Sequence, residues 1–489
     1  MKSQNSFLGT KKHGIDMPGK EALVHIDGFP LCFPITRSSK KRMAGSNGAR
    51  ECWERDEGSI WHGKHGNNGL ELMKILFLCP KFAVGGGGQT YTQKLGEELA
   101  RRGHEVTIAS EGLPEQKGHG NVVILWRKLE ISPWRQRLVR WLRTLRNHRG
   151  GTQLIRRLFP EGDFDVFART PPCLELDNPD FFDGMDVVVV VMSALFAWSR
   201  VVGETLRGRG TTVVFVPFFH VQMDMYDWTY QKKVHDQADC TVALTGFEKR
   251  FLEGKGWDGN RIRVAGVGSD EMGPAQMEPA EFRQRHGIPA GVPVVMFLGR
   301  KNFHKGAAHV VMAMESVWAV FPEARLVLVG FSQNSKSWLV GYLSKSRHGG
   351  AEKTVDIDDA TDAEREAALE TASVMALPSV NDSFGIAYLD AWRHKVPVIG
   401  CSDTCCEDVV SEGVDGLLVP FGDVPALGRA LVRMLSDDAA RRNMGDKGFE
   451  KWKKSFSWAE IAREWDFFLR EQAAMKTNAS VSGERCDDG

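Results

Sequence analysis

Residues 73–108 read MKILFLCPKFAVGGGGQTYTQKLGEELARRGHEVTI, and this stretch decides the fold. An apolar strand at Ile75–Leu78 leads into a run of four glycines. The helix that follows places Tyr91, Leu95 and Leu99 on one face. After a glycine at its end, a second apolar strand begins. A strand, a glycine turn, an amphipathic helix and another strand form a βα unit, so the stretch predicts an α/β protein with a parallel sheet.

The same alternation continues through most of the chain in two arrays. The first array has further predicted strands at Asp186–Met192, Thr212–Val216, Thr241–Leu244 and Arg261–Val264. The second has predicted strands at Val294–Leu298, Arg325–Val329, Val374–Leu377 and Val396–Ile399. Two arrays of similar size predict two Rossmann-like domains joined by a linker near 270–285.

The ends of the chain differ from this core in composition. The first 72 residues are rich in Gly, Ser, Lys and His and have no periodicity, which predicts a disordered leader and makes Met73 a candidate initiator. At the other end, Ser457 and Glu460 have capping-box spacing before a helix with Trp458, Ile461, Trp465 and Phe468 on one face. We therefore expect a leader at 1–72, an N-terminal domain at 73–272, a C-terminal domain at 273–456, a helix returning to the N-terminal domain at 457–472, and a disordered tail at 473–489.

Composition excludes several classes of protein. The chain has 63 basic and 63 acidic side chains, so its net charge gives no argument for nucleic-acid binding. Its nine cysteines form no CxxC pair, which favours a reducing, cytoplasmic location. Cys401, Cys405 and Cys406 cluster without other ligands at zinc spacing, and we interpret them as small residues in a turn. The longest apolar run, Val187–Trp198, is shorter than the roughly 20 residues of a membrane-spanning helix, and no signal peptide is expected.

Three motifs stand where predicted strands end, which is where parallel α/β sheets bind ligands. The first is the glycine run, whose backbone can approach a phosphate or sugar, although a plain surface turn is its alternative interpretation. The second, 299–306, holds two cations suited to a diphosphate, although two cations alone would indicate a solvated surface loop. The third, 378–392, combines a helix N-terminus with two carboxylates, whose alternatives are a helix cap and an exposed residue. The residues concerned are Gly85, Gly86, Gly87 and Gly88; Arg300 and Lys305; and Asp382, Ser383, Phe384, Gly385 and Asp390.

Together these motifs resemble the retaining family-4 glycosyltransferases of the GT-B fold. Asp382-x7-Asp390 is similar to the family's E-x7-E motif, and 299–306 to its G-R-x4-K-G element. Residues 266–270 resemble its inter-domain segment, and 408–420 resemble its EVV-DG-x-x-GLLV stretch. The likeness covers about 73–470. It implies two Rossmann-like domains facing each other across a donor-binding cleft.

The resemblance also implies roles for the matched residues. Arg300 and Lys305 would neutralise the diphosphate of a nucleotide-sugar donor, and Asp382 would contact the transferred sugar. Asp390 would hold the ribose, while the backbone at 383–385 and the glycine run would line the pyrophosphate. His220 matches the family's N-domain histidine beside the donor sugar, with a buried structural histidine as the alternative. No metal or other cofactor is expected, and the acceptor would be a glycan or a lipid-linked molecule.

The sequence departs from the family pattern at the carboxylates. Both glutamates of the motif are aspartates, and Asp408 replaces the glutamate of the EVV stretch. These departures leave open an inactive subunit that binds sugar nucleotides. A nucleotide-sugar epimerase or phosphorylase on the same fold is the other alternative to a retaining glycosyltransferase.

A basic stretch at 126–158 carries nine arginines and one lysine against Glu130. Helical spacing places Trp134, Leu138 and Trp141 on one side, with most of the arginines elsewhere. Such a helix could lie on an anionic membrane surface, which would make the protein peripheral at the inner face of a membrane. Its alternative is a domain helix that packs its apolar face on the core.

Overall fold

A computed structural model describes most of the two predicted domains, and the described residues belong to one compact unit. The described residues are 72–79, 87–110, 124–128, 182–194, 198–223, 226–271, 273, 275–332 and 336–483. Predictions for residues 1–71, for Gly85 and Gly86, and for 129–158 of the basic stretch lie outside them.

The first sheet has seven parallel strands in the order β3-β2-β1-β4-β5-β6-β7. Its strands are β1 (Lys74–Cys79), β2 (Glu105–Ser110), β3 (Ile124–Lys128), β4 (Val187–Val191), β5 (Thr212–Val216), β6 (Cys240–Ala243) and β7 (Ile262–Val264). Its helices are α1 (Gly87–Arg101), α2 (Trp198–Leu206), α3 (Trp228–His235) and α4 (Gly246–Gly254). Every side chain of β4 and β5 is buried, as expected for central strands covered on both faces.

The second sheet has six parallel strands in the order β10-β9-β8-β11-β12-β13. Its strands are β8 (Val294–Leu298), β9 (Arg325–Val329), β10 (Thr354–Ile357), β11 (Val374–Ala376), β12 (Val398–Cys401) and β13 (Gly416–Val419). Its helices are α5 (Pro279–Arg285), α6 (Ala307–Val320), α7 (Lys336–Leu343), α8 (Asp362–Thr371), α9 (Ile386–Arg393), α10 (Cys406–Val409), α11 (Val424–Ser436) and α12 (Asp438–Ser455). The last of the first sheet's strands ends before the predicted boundary at 272, and β8 begins after it.

The two sheets confirm the predicted α/β class with two Rossmann-like halves. The sequence did not predict β3, β10 or β13. Strand β10 lies at the edge of its sheet and its side chains are only partly buried or exposed, so it lacks the apolar run that marks a central strand. The first residues of the basic stretch, 126–128, belong to β3 rather than to a helix.

The last helix, α13 (Trp458–Gly483), packs on α1 of the first sheet. Its four predicted apolar residues are buried, and the Tyr91 ring meets the Trp458 and Trp465 rings edge-on at 5.8 and 6.3 Å. The imidazole Nε2 of His104 lies 3.0 Å from an Asp466 carboxylate oxygen. The Glu460 N–H donates to Ser457 Oγ over 3.3 Å, which is one half of the predicted capping box.

The end of this helix corrects the prediction of a disordered tail from 473. The helix continues to Gly483. Lys476 anchors the extra turns, because its ammonium lies 2.8 Å from an Asp239 carboxylate oxygen and also donates to the Thr211 carbonyl. The polar composition of 473–483 suggested fraying, yet alanine, methionine and lysine within it favour helix once an anchor is present.

Candidate active site

The loop after β8 carries the first part of the site. Gly306 has a φ of +80°, which a residue with a side chain rarely adopts. A Cβ there would lie 2.5 Å from the Pro378 carbonyl oxygen. The Val380 N–H also donates to the His304 carbonyl over 3.0 Å. A glycine at this point therefore lets the loops that follow β8 and β11 touch, and it delivers Lys305 to the second loop.

Lys305 and Asp382 form an ion pair between these two loops. Both side chains are only 13% exposed, so the pair is more strongly coupled than a surface ion pair. The second carboxylate oxygen of Asp382, Oδ2, is buried and has no hydrogen-bond partner among the described residues. A buried acceptor without a partner is costly, and the hydroxyl group of a bound sugar would satisfy it.

His220, from the loop after β5 of the first sheet, faces this pair. Burial lowers its pKa to about 4, and Lys305 and Arg300 add to the shift while Asp382 opposes it. The imidazole therefore lies within electrostatic reach of these three side chains of the second sheet. Its Nδ1 atom is buried and has no partner among the described residues. The imidazole is therefore neutral at pH 7, and its Nδ1 atom can form one hydrogen bond with a ligand.

Arg300 completes the group of charged side chains. It is exposed and forms no ion pair with any other described residue. Its charge nevertheless reaches His220, whose pKa it lowers. A cation that no described carboxylate neutralises is suited to an anionic ligand, and the diphosphate of a donor is such a ligand. The structure thus brings together His220, Arg300, Lys305 and Asp382, while their catalytic roles stay predictions.

Helix α9 supplies the predicted anion site. It begins at Ile386, because Gly385 adopts a φ of +97° and serves as the N-cap. Phe384 is 2% exposed and its ring packs on Phe456, so only its backbone could meet a ligand. Gly87, at the start of α1, faces this helix, since a Cβ on Gly87 would lie 3.5 Å from Ile386 Cδ1. The first turns of α1 and α9 therefore meet across the cleft, as the predicted roles of their backbones require.

Asp390 lies further along α9 and apart from Lys305. Its side chain is 19% exposed, and its Oδ1 is 3.7 Å from Arg393. Burial raises the pKa of Asp390, and the cations of Arg393 and Arg365 oppose that shift. The predicted ribose carboxylate is thus already balanced by arginines, and its role toward a ribose stays a prediction.

The cysteine cluster lies directly behind the Asp382 loop. The Cys405 thiol donates to the Asp382 carbonyl over 3.1 Å, and the Cys406 sulfur is 3.1 Å from the Tyr388 hydroxyl. Both thiols are buried. The described residues contain no group of three or more His, Cys, Asp or Glu side chains placed to hold a metal ion.

Sequence reasoning missed Lys301, which is buried although it lies in a loop. Its side chain is fully buried, and its ammonium pairs with Asp356 and, at 2.9 Å, with Asp358. It also donates to the Ile357 carbonyl over 3.0 Å. These bonds tie the loop after β8, which carries Arg300 and Lys305, to the end of β10. The signal that could have found Lys301 is the pair of aspartates at 356 and 358.

Replacing Lys301 by alanine is expected to lower the free energy of unfolding by about 3 kcal/mol, because two carboxylates would lose the buried cation between them. Urea denaturation at pH 7 measures the change. The matched control is Lys336→Ala, since Lys336 bonds to the same Asp358 at 2.7 Å but is 64% exposed. The urea midpoint of Lys336→Ala should stay near that of the wild type. An equally small change in the midpoint of Lys301→Ala would contradict the structural role of Lys301.

A cavity of about 490 Å³ lies elsewhere, between α8, the C-terminal end of α9 and the linker. Its lining includes Glu366, Arg393 and His394 but none of the four residues grouped above. The converging charges of those four residues, and the buried Asp382 Oδ2 and His220 Nδ1 atoms without partners among the described residues, lie in the cleft and not at this cavity.

Comparison with known families agrees with this geometry. The family model described as Glycosyltransferase Family 4 matches residues 85–270, and the model described as Glycosyl transferases group 1 matches residues 279–451. The two matches cover most of both sheets and include all four grouped residues. The chain belongs to this glycosyltransferase family.

Curated relatives of this glycosyltransferase act on inositol compounds according to their names. A phosphatidyl-myo-inositol mannosyltransferase of Mycobacterium leprae (strain TN) is 26% identical over 83% of this chain and 98% of its own length. A D-inositol 3-phosphate glycosyltransferase of Corynebacterium glutamicum (strain R) is 30% identical over 52% of this chain and 62% of its own length. These relatives confirm the class of enzyme, a glycosyltransferase.

Solved structures confirm the GT-B fold. Sucrose-phosphate synthase from Thermosynechococcus elongatus superimposes with a TM-score of 0.63 at 21% identity, over 82% of this chain and all of the other. Anabaena HepE, solved in complex with UDP-glucose, gives a TM-score of 0.58 at 14% identity, over 82% of this chain and 100% of its own. None of the helices that the structure describes is long and apolar enough to cross a membrane.

Proposed function

We propose that this glycosyltransferase moves a sugar from a nucleotide-diphosphate sugar to a glycan or lipid-linked hydroxyl with retention of anomeric configuration. The observation that carries the proposal is the Lys305–Asp382 pair: Oδ2 of Asp382 is buried without a hydrogen-bond partner among the described residues, and the charges of both side chains act on His220 of the other half. A carboxylate and an imidazole can bind the hydroxyl groups of the sugar. The neighbouring cations can bind the departing diphosphate.

In the proposed reaction the acceptor oxygen attacks the anomeric carbon on the face from which the diphosphate leaves. The bond between that carbon and the phosphate oxygen breaks, and its electron pair stays on the diphosphate. The acceptor proton moves to the departing phosphate oxygen, so no protein nucleophile is needed. Arg300, Lys305 and the first N–H groups of α9 stabilise the negative charge as it develops, which is why we propose that no metal is required.

Thermal shift with a panel of nucleotide diphosphates and nucleotide sugars tests donor binding. A ligand at 100 times its Kd adds about 2.7 kcal/mol of stability, which is readily detected. Each stabilising donor is then incubated with the enzyme in the presence of EDTA, and nucleotide release is measured. Release that is unaffected by EDTA supports metal-independent transfer or hydrolysis. Conversion of the donor alone into a different nucleotide sugar would indicate an epimerase instead, and binding without turnover would indicate an inactive subunit.

The low pKa of His220 determines where the acid limb of the kcat/KM pH profile is expected. Its folded-state pKa of about 4 lies below the ordinary value of 6.5, so kcat/KM should show no inflection near 6.5 and should fall only as the pH approaches 4. His220→Asn should lower kcat by about tenfold through the loss of one hydrogen bond to charge developing on the sugar. It should also remove this limb, whereas His348→Asn, in the turn before β10, should keep it. An inflection near 6.5 in the wild type would contradict a buried, neutral His220.

We also propose that the acceptor is presented at a membrane. Two observations support this: the basic, tryptophan-bearing stretch at 126–158, and the similarity to a phosphatidyl-myo-inositol mannosyltransferase. Each basic side chain near an anionic surface contributes about 1 kcal/mol at modest salt. Sedimentation with liposomes should therefore require anionic lipid and decline with added salt. Replacing Arg137, Arg140 and Arg143 by glutamate should abolish it, and protein that stays in the supernatant at every lipid composition would contradict the proposal.

A further inference from the structure

Helix α4 of the first sheet is held at its N-terminus by a carboxylate of the second sheet. The Phe247 N–H donates to Oδ2 of Asp408, and the Arg250 guanidinium lies 3.0 Å from Oδ1 of the same carboxylate. Asp408 is 13% exposed. Gly246 makes room for this contact, because a Cβ there would lie 3.3 Å from Asp408 Oδ2 and 3.0 Å from Arg250. One aspartate thus meets both the backbone and a side chain of the opposite half.

The bond to Phe247 satisfies an N–H group that the helix itself cannot satisfy. The first N–H groups of an α-helix have no acceptor within the helix. Thr245 accepts from the Glu248 N–H at 3.1 Å, and Asp408 accepts from Phe247. A negative charge at this end is also favoured by the helix dipole. The N-terminus of α4 is therefore capped by two side chains, Thr245 next to the helix and Asp408 from the other half of the molecule.

On its inner side the same turn of α4 holds the loop that carries His220. Glu248 is 2% exposed, and its carboxyl group accepts from the Phe219 N–H at 3.3 Å and from the Leu244 N–H at 2.8 Å. Phe219 directly precedes His220. A displacement of the first turn of α4 would therefore move the histidine.

In the second half, the segment that carries Asp408 is bonded to the Asp382 loop. Asp408 lies on α10, three residues after Cys405, which is the N-cap of that helix and whose thiol donates to the Asp382 carbonyl over 3.1 Å. A further bond spans the halves nearby, since the Gln222 side-chain amide donates to the Asp403 carbonyl over 3.3 Å. The contacts form a chain that runs from the Asp382 loop through α10 and α4 to Phe219, the neighbour of His220.

We propose that Asp408 is a positioning residue that fixes His220 at its working distance from Asp382 by clamping α4 to α10. The proposal rests on the proposed transfer reaction and deepens it, because a misplacement of about 1 Å at a reacting centre can cost about a hundredfold in rate. Asp408 itself touches no reacting atom. It acts through helix α4.

Amide hydrogen exchange and steady-state kinetics on the full chain test the proposal with three variants: Asp408→Ala, Asp408→Asn and the control Lys249→Ala. Lys249 neighbours Arg250 on α4 and pairs only loosely, at 3.9 Å, with Glu253 of the same helix. In Asp408→Ala, exchange in 244–252 and in 217–223 should speed up about tenfold, because Phe247 loses its acceptor. Transfer kcat should fall about thirtyfold, while the Kd for UDP or GDP, bound by the second sheet, stays within about threefold.

Asp408→Asn keeps an acceptor for Phe247 but loses the charge, so it should recover part of both effects, and Lys249→Ala should match the wild type. Unchanged exchange in 217–223 for Asp408→Ala would overturn the clamp. Faster exchange with an unchanged kcat would overturn its positioning role. If the wild type transfers no sugar, the proposed function fails, and the exchange data alone decide whether Asp408 holds the His220 loop.

Discussion

Lys305→Ala is expected to lower kcat/KM for sugar transfer by about a hundredfold or more, equivalent to about 2.7 kcal/mol. Two losses combine in this variant. The departing diphosphate loses a cation that is held in a poorly solvated place, and the Asp382 carboxylate is left without its ion-pair partner. Initial rates at varied donor concentration measure the effect, and it should appear in kcat as well as in KM.

The matched control for this variant is Lys395→Ala. Lys395 also pairs with an aspartate, Asp446, at 3.0 Å, but both partners are more than half exposed. Its removal should leave kcat/KM at the wild-type value. Wild-type turnover in Lys305→Ala would show that the loop after β8 does not bind the donor.

The second large effect is expected at Asp382. Asp382→Asn should lower kcat by about a hundredfold, because an amide cannot replace the charge that pairs with Lys305 and accepts sugar hydroxyls. Asp390→Asn should be milder, about tenfold in donor KM, since a ribose hydroxyl needs an acceptor more than a charge and Arg393 already lies beside this carboxylate.

The comparison between these two aspartates is itself the control. Circular dichroism and melting temperature confirm folding of each variant. If Asp382→Asn and Asp390→Asn had equal donor affinity and equal rates, the two carboxylates would be structural, and the family motif would not act in this chain as we propose.

The part of the site that lies in loops directly after strands of one parallel sheet was predictable from sequence. Strand ends in a parallel sheet meet at one edge, so the loops carrying Lys305 and Asp382 could be brought together without a structure. The resemblance to the family added His220, whose position depends on the other half of the molecule. The structure brings that histidine to the pair.

Contacts between distant segments were not predictable in this way. Lys301 looks like a solvated loop residue until its partners, 55 and 57 positions away, are known. The Asp408–Phe247 bond joins residues 161 positions apart, and no periodic pattern signals it. The length of α13 was underestimated for the same reason, since its anchor at Asp239 lies 237 positions away.

The most direct test of the central claim is the anomeric configuration of the product. The wild-type enzyme is incubated with the nucleotide sugar that stabilises it and with a glycan or lipid-linked acceptor, and the product is examined by proton NMR before it can equilibrate. The account predicts a glycoside with the same anomeric configuration as the donor, formed in EDTA by the wild type and lost in Asp382→Asn. A product of inverted configuration, or equal product formation by Asp382→Asn, would contradict it.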